Sequence, residues 1–473
     1  MIIVSVLGLF GIFTFGFFIS DSVFGLKSHI LERISVGFLL GSGLFTVILF
    51  LMNWWFKIPF KLEYAALILL VLNTLVFAGN IIIKRLKGDR NLFKYNFNFK
   101  EGFGKLSGGE KVIVGVILFL FISSLIHNFY WPVKNWDALV LYDFRAKSFL
   151  ATGFMADAIS RGYFTAYPLY TSLFHTFLYL FNFSNPVFIY TLLYMCLVSL
   201  FYFVMLRITN NRLLSLFLAL FISINATIYR HSLISYTNSP YTIFLGVGFA
   251  YLIYSFFEKG IKTNMVYLGV LFISLGSWVR VSEPFWLLAV PFILLFLIYS
   301  KKIIHVLGLL FILYIPRFLW FKFLSDYKVI ERSNDIGSLL SIKGVVLNFF
   351  SLNQIKIISY FYKNMISPYS ILLIIFLISF TLLAYYFFRK ETAKFKLKNS
   401  QPLFLFLPSI LVFLCIAIML LGIYIFMFIF GDYAFKIVDS AKRSTMPLIP
   451  FLLFSIFVNI YYVFKFLTHK KNV

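Results

Sequence analysis

The stretch LYTSLFHTFLYLFNF, Leu169 to Phe183, decides how the chain is threaded. It is apolar enough to enter a bilayer, yet it has only fifteen residues and carries Thr171, Ser172, His175 and Thr176. A helix needs about twenty apolar residues to span the hydrocarbon layer. If this segment crosses, every later loop changes side.

Around it the sequence repeats one pattern. Apolar runs lie near 3–19, 34–52, 63–83, 112–128, 187–206, 213–229, 240–257, 265–279, 285–300, 303–322, 367–388, 403–429 and 447–464, thirteen in all. With 61% hydrophobic residues, 64 Phe and a mean hydropathy of +0.93, the chain reads as an all-α polytopic membrane protein of about thirteen transmembrane helices. The opening MIIVSVLGLFGIFTFGFFIS has no basic start and no cleavage site, and reads as a retained first helix.

Basic residues orient the runs. The connection from Lys84 to Lys111 holds eight Lys and Arg, which places it in the cytoplasm and the following loop outside. With 169–183 not crossing, the segments assigned inside (207–212, 258–264, 301–302, 389–402 and 465–473) carry 14 Lys and Arg in 38 residues. Those assigned outside (230–239, 280–284, 317–366 and 431–446) carry 12 in 81. The density therefore favours a juxtamembrane or re-entrant helix over 169–183, lying along the outer face. Three regions follow: an N-terminal three-helix extension with its basic loop (1–111), a membrane core with outer loop 129–167 (112–300), and C-terminal helices with outer loops 323–366 and 431–446 (301–473).

A formal charge of +25 in short loops suits anionic lipid head groups better than nucleic acid. Cys196 and Cys415 lie inside apolar runs, and no His, Cys, Asp or Glu spacing suggests a metal site, so neither a disulfide framework nor a metal cofactor is expected. KLSGGEK, 105–111, has too few glycines and no strand before it for a phosphate loop.

Chemistry must then come from polar islands at helix ends. In NWDALVLYDFRAKSFLATG, 135–153, Asp137 sits at a helix start beside Tyr130, Trp131 and Trp136, where it can cap the turn or act as a general base for a hydroxyl. Asp143 and Lys147 are spaced to pair, and Arg145 lies between them. In GSWVRVSEPFW, 276–286, Arg280 and Glu283 lie at a helix junction, as a salt bridge or as a functional pair. Lys442 and Arg443 precede the last helix on the side that disfavours cations, and a guanidinium there suits phosphate. Lys442 equally suits snorkelling to lipid head groups. YRHSLISYTNSPY, 229–241, adds His231 and Asn238.

In this order the pieces resemble the GT-C class of integral-membrane glycosyltransferases, near the protein mannosyltransferase and lipid A aminoarabinose transferase type. The resemblance rests on NWDALVLYDFRAKSF under a crossing, YPLY (Tyr167–Tyr170) leading into a juxtamembrane helix, WVRVSEP at a later junction and SAKRSTMPLIP at the edge of the last helix. It covers about 112–300 and the last helix locally. It departs from the class in three places: the acidic loop follows the fourth crossing, Asn238 stands where a second acidic residue is common, and Pro284 replaces a glycine.

The resemblance implies a GT-C-like fold with outer-face juxtamembrane helices in the first large loop. It implies inverting transfer of a sugar from a polyprenyl-phosphate donor to a glycan, lipid or protein acceptor, outside the cell membrane and without a bound cofactor. By position Asp137 would be the base, with Asp143 as its alternate. Arg443 would hold the donor phosphate with Lys442 or Arg145, Arg280 and Glu283 would line the sugar or phosphate site, and Tyr167, Asn238 and His231 would serve the acceptor or loop. Two other readings remain: a flippase or transporter for polyprenyl-linked glycans, with charges facing a mid-membrane cavity, and an O-antigen ligase or polymerase built on a late outer loop.

Overall fold

The computed structural model describes residues 2–22, 29–86, 104, 106–160, 167–257, 261–281, 283–327, 354–389, 402–430 and 442–470. Most of loops 84–111 and 323–366, and 431–441 of loop 431–446, lie outside these residues.

Among the described residues there are helices and turns and no strand, as a chain of apolar runs requires where backbone groups must bond within their own segment. The helices are α1 (Ile2–Ser22), α2 (Ile30–Trp54), α3 (Leu62–Leu86), α4 (Gly108–Tyr130), α5 (Phe144–Thr152), α6 (Met155–Ser160), α7 (Tyr170–Leu180), α8 (Phe188–Thr209), α9 (Arg212–Ser223), α10 (Ala226–Ser232), α11 (Asn238–Phe257), α12 (Thr263–Val279), α13 (Ala289–Ser300), α14 (Ile303–Asp326), α15 (Gln354–Phe361), α16 (Ser370–Phe388), α17 (Leu407–Phe430) and α18 (Leu448–Lys470).

Among the described residues ten helices are long and apolar enough to cross a membrane, which makes this a multi-pass membrane protein. Three expected runs form shorter apolar helices, at Arg212–Ser223, Thr263–Val279 and Pro284–Ser300. The shortening has local causes. Asn225 breaks the run 213–229 because its Oδ1 accepts from the backbone amides of Thr227 and Ile228 at 3.1 and 3.2 Å, which starts α10 afresh. Pro284 opens the run 285–300 with a 3₁₀ turn, Pro284–Leu288, before α13 begins.

Ion pairs tie the helix ends together at one end of the bundle. Asp21 at the end of α1 meets Lys84 of α3 at 2.5 Å and Arg33 of α2 at 3.1 Å. Buried Glu32 meets Arg207 at the end of α8 at 2.6 Å and accepts from the Tyr251 hydroxyl at 2.6 Å. Glu110, which forms a capping box with Ser107, reaches Arg212 at 2.8 Å. This is the end to which the charge count assigns the basic segments.

At the opposite end Asn128 of α4 donates to Thr191 Oγ1 and to the Ser232 carbonyl, both at 2.7 Å, and Asn185 donates to the carbonyls of Asn128 and Trp131. Gly153 ends α5 with φ +78°, a conformation that disfavours a side chain, and its carbonyl accepts from Phe60 N and Asn53 Nδ2, both at 2.9 Å. The N-terminal helices therefore brace the first large loop. They also join the core, since α2 packs on α7, α8 and α12.

The segment 169–183 leaves and returns to this same end, from Tyr167 beside Arg280 to Asn185 beside Trp131, so it does not cross. It differs from a helix lying on the outer face. Tyr170 through Leu178 are all buried, packed on α2, α3, α5 and α12, with the Tyr170 hydroxyl donating to Ser42 Oγ at 3.4 Å. Thr171, Ser172, His175 and Thr176, which with its short length made its crossing ambiguous in the sequence, are inside the protein.

Candidate functional site

Trp131 N bonds back to the His127 carbonyl and closes α4, and a short link then delivers Asp137 to the start of a π-helical turn, Ala138–Asp143. Such turns carry one more residue per hydrogen bond than an α-helix and are frequent at functional sites. This one separates two carboxylates that look equivalent in sequence.

Asp137 keeps its side chain 30% exposed and pairs with Arg443, Nη1 to Oδ2 at 2.5 Å, across 306 residues of sequence. Its Oδ1 has no hydrogen bond to a described residue. Asp143 is 2% exposed and enclosed: Lys147 Nζ stands at 2.8 Å, His175 Nδ1 at 3.3 Å, and the Tyr179 hydroxyl donates to Oδ1. Burial alone would raise this carboxyl, but His175, Lys147 and Tyr179 more than offset it and hold its pKa at about 2. Asp143 thus anchors the loop to α7, and Asp137 faces outward.

Arg443 is positioned from several elements. Its guanidinium lies over the Tyr236 ring, 5.0 Å from the centroid, and its carbonyl accepts from Asn238 Nδ2 at 3.2 Å. The next turn is fastened by Thr445 Oγ1, which donates to the Lys442 carbonyl at 2.7 Å and meets the Tyr369 hydroxyl at 2.8 Å. An amide suits position 238 because it must donate to a carbonyl, which a carboxylate cannot do.

Two further cations gather around Tyr167, which connects to this pair through Tyr142, Thr237 and Asn238. Buried Arg145 donates from Nε to the Leu141 carbonyl at 2.5 Å and from Nη1 to the Tyr167 carbonyl at 3.4 Å, and burial pulls its pKa down to about 10. Arg280 caps α12, pairs with Glu283, donates from Nη2 to the Tyr167 hydroxyl at 3.1 Å and covers that ring at 4.8 Å. Burial disfavours the Arg280 charge, yet Glu283 and the neighbouring tyrosines raise its pKa above the ordinary value. Tyr142 meets Thr237 Oγ1 at 3.0 Å, with its phenol pushed up to about 12 chiefly by burial.

The structure therefore brings together Asp137, Arg443, Arg145, Tyr167, Arg280, Glu283 and Asn238, which the sequence offered from five separate stretches. It places three others differently. Asp143 lies in the buried clamp. The Lys442 side chain is exposed, and the hydrogen bond of this residue is made by its carbonyl. His231 Nδ1 lies 2.9 Å from the Thr227 carbonyl of its own helix.

Tyr142, Tyr236, Thr237, Tyr241 and Arg317 complete the surroundings and were not singled out in the sequence. Arg317 alone carried a signal, as an ionisable residue inside an apolar run directly after Pro316. No group of three or more His, Cys, Asp or Glu able to hold a metal occurs among the described residues.

Compared with protein-family models, with curated proteins and with solved structures, the chain finds no match.

Proposed function

We propose that the protein is an inverting membrane glycosyltransferase of the GT-C kind, crossing the cell membrane thirteen times, with its site facing outside. It would take a sugar from a polyprenyl-phosphate donor and pass it to a hydroxyl of a glycan, lipid or protein. The observation that carries this reading is the Asp137–Arg443 pair: a half-open carboxylate with one oxygen held by a guanidinium and the other without a hydrogen bond to a described residue.

In the reaction Asp137 Oδ1 takes the proton of the acceptor hydroxyl as that oxygen forms its bond to the anomeric carbon. The bond from that carbon to the phosphate oxygen breaks, and its electrons leave with the lipid phosphate, whose charge the arginines stabilise. Attack opposite the leaving group inverts the anomeric centre. Arg443 orients Asp137, and Arg280 with Tyr167 would supply further hydrogen-bond donors.

The test is transfer of radiolabelled sugar from polyprenyl-phosphate donors in membranes holding the wild type or Asp137→Asn at equal level. The expected result is transfer by the wild type, with a loss of about 10²- to 10⁴-fold in the variant. Equal transfer by both would remove Asp137 from the chemistry, and no turnover of any donor by the wild type would count against the transferase reading itself.

A further inference from the structure

Among the described residues, Arg280 Nε, the Tyr241 hydroxyl and Arg317 Nη1 are buried polar atoms without a hydrogen-bond partner. They belong to one neighbourhood. Arg280 lies 5.9 Å from the Tyr241 ring centroid, and Tyr241 lies within electrostatic reach of Arg280, Glu283 and Arg317. Arg317 lies over the Trp286 ring, 4.7 Å from its centroid, three residues after Glu283.

Tyr241 and Arg280 are 3% and 8% exposed, so water does not readily supply what they lack. Buried polar groups are ordinarily paired, and a cluster of orphans in one place calls for a ligand. All three can donate, which makes the missing partner an acceptor, and the two guanidiniums make it an anion. Glu283 is already paired with Arg280. A phosphoryl group has three acceptor oxygens and matches guanidinium geometry.

The position of Arg317 points to the source. It sits in membrane-spanning α14, flanked by Tyr314, Phe318 and Phe321, which are 51%, 52% and 45% exposed on the bundle surface. A charge on such a flank is expensive unless it serves a ligand or path. We propose that Arg280, Tyr241 and Arg317 form a phosphoryl-binding subsite that takes the phosphate of a membrane lipid. This deepens the transferase reading and rests on it for the polyprenyl chain. It also moves the donor phosphate away from Arg443, whose guanidinium already holds Asp137.

The experiment uses the full chain in nanodiscs of neutral lipid and measures binding of polyprenyl phosphate, the matching polyprenol and inorganic phosphate. Wild type is compared with Arg317→Ala and with Tyr241→Phe, which removes one hydroxyl and preserves packing. The expected result is that polyprenyl phosphate binds at least about tenfold tighter than polyprenol, and that each variant loses about tenfold for the phosphate lipid alone, with an unchanged unfolding midpoint. Competition by inorganic phosphate in the wild type, and none in Arg317→Ala, would assign the contact to the phosphoryl group.

Unchanged affinity for polyprenyl phosphate in both variants overturns the subsite, whatever the transfer activity. Binding of inorganic phosphate with no further gain from the lipid overturns the membrane source. Discrimination by phosphate in a protein that transfers no sugar would sink the transferase reading and leave the subsite standing.

Discussion

At the scale of single residues, Asp137 and Asp143 show how far position in a turn outweighs identity. Both are aspartates of one loop, yet one forms a half-open pair with Arg443 and the other is enclosed by Lys147, His175 and Tyr179. The Asp143 carboxyl is held at about 2 against an ordinary 3.8, so the folded state favours its charge. Its contribution is fully present above about pH 4 and is lost as the pH falls through about 2. Asp143→Asn should cost about 2 kcal/mol at neutral pH, with the deficit shrinking toward pH 2, as read from unfolding midpoints in detergent between pH 2 and 7. Asn238 gives a second expectation. Asn238→Asp would set a carboxylate against the Arg443 carbonyl, and it should lower transfer at least about tenfold with little change in midpoint, whereas Asn238→Gln keeps a donor and should retain more activity.

At the scale of elements, α14 shows what a helix needs from its neighbour. Pro316 has no amide hydrogen, so the Ile312 carbonyl loses its partner within the helix. Ser274 of α12 supplies it, Oγ to oxygen at 2.6 Å. Ser274→Ala should lower stability by about 1 kcal/mol, and the loss should vanish when Pro316→Ala is also present, a double-mutant cycle readable by thermal unfolding.

The same helix marks what was legible in the sequence. The apolar runs announced a helical membrane protein, and polar islands such as NWDALVLYDFRAKSF and WVRVSEP stood out because charge is rare elsewhere. Their partners did not. No period in the chain connects Asp137 to Arg443, Arg317 read as part of a loop edge, and a run such as 213–229 gave no warning that Asn225 would divide it. Chain patterns report burial and period, whereas pairing across the bundle is settled only when helices meet.

At the scale of the molecule, the ion pairs of Asp21, Glu32 and Glu110 mark one end and the Asp137 cluster the other. Orientation in the membrane is the expectation that belongs here. Cys196 and Cys415 are buried, so single cysteines introduced at exposed positions report cleanly. In intact cells a membrane-impermeant maleimide should label Trp136→Cys and spare Lys301→Cys until the membrane is opened. The reverse pattern would invert the molecule and put the proposed site in the cytoplasm.

Helix α7 also bears on how the chain is made. With eleven residues it is too short to be retained as a span when it first meets the membrane, and its final neighbours include α12, which begins at Thr263. During synthesis it must wait at the bilayer edge while more than eighty further residues are inserted. Only then does the bundle close over its threonines, serine and histidine. Assembly of this protein therefore has a late step in which a segment waiting at the bilayer edge is drawn inward.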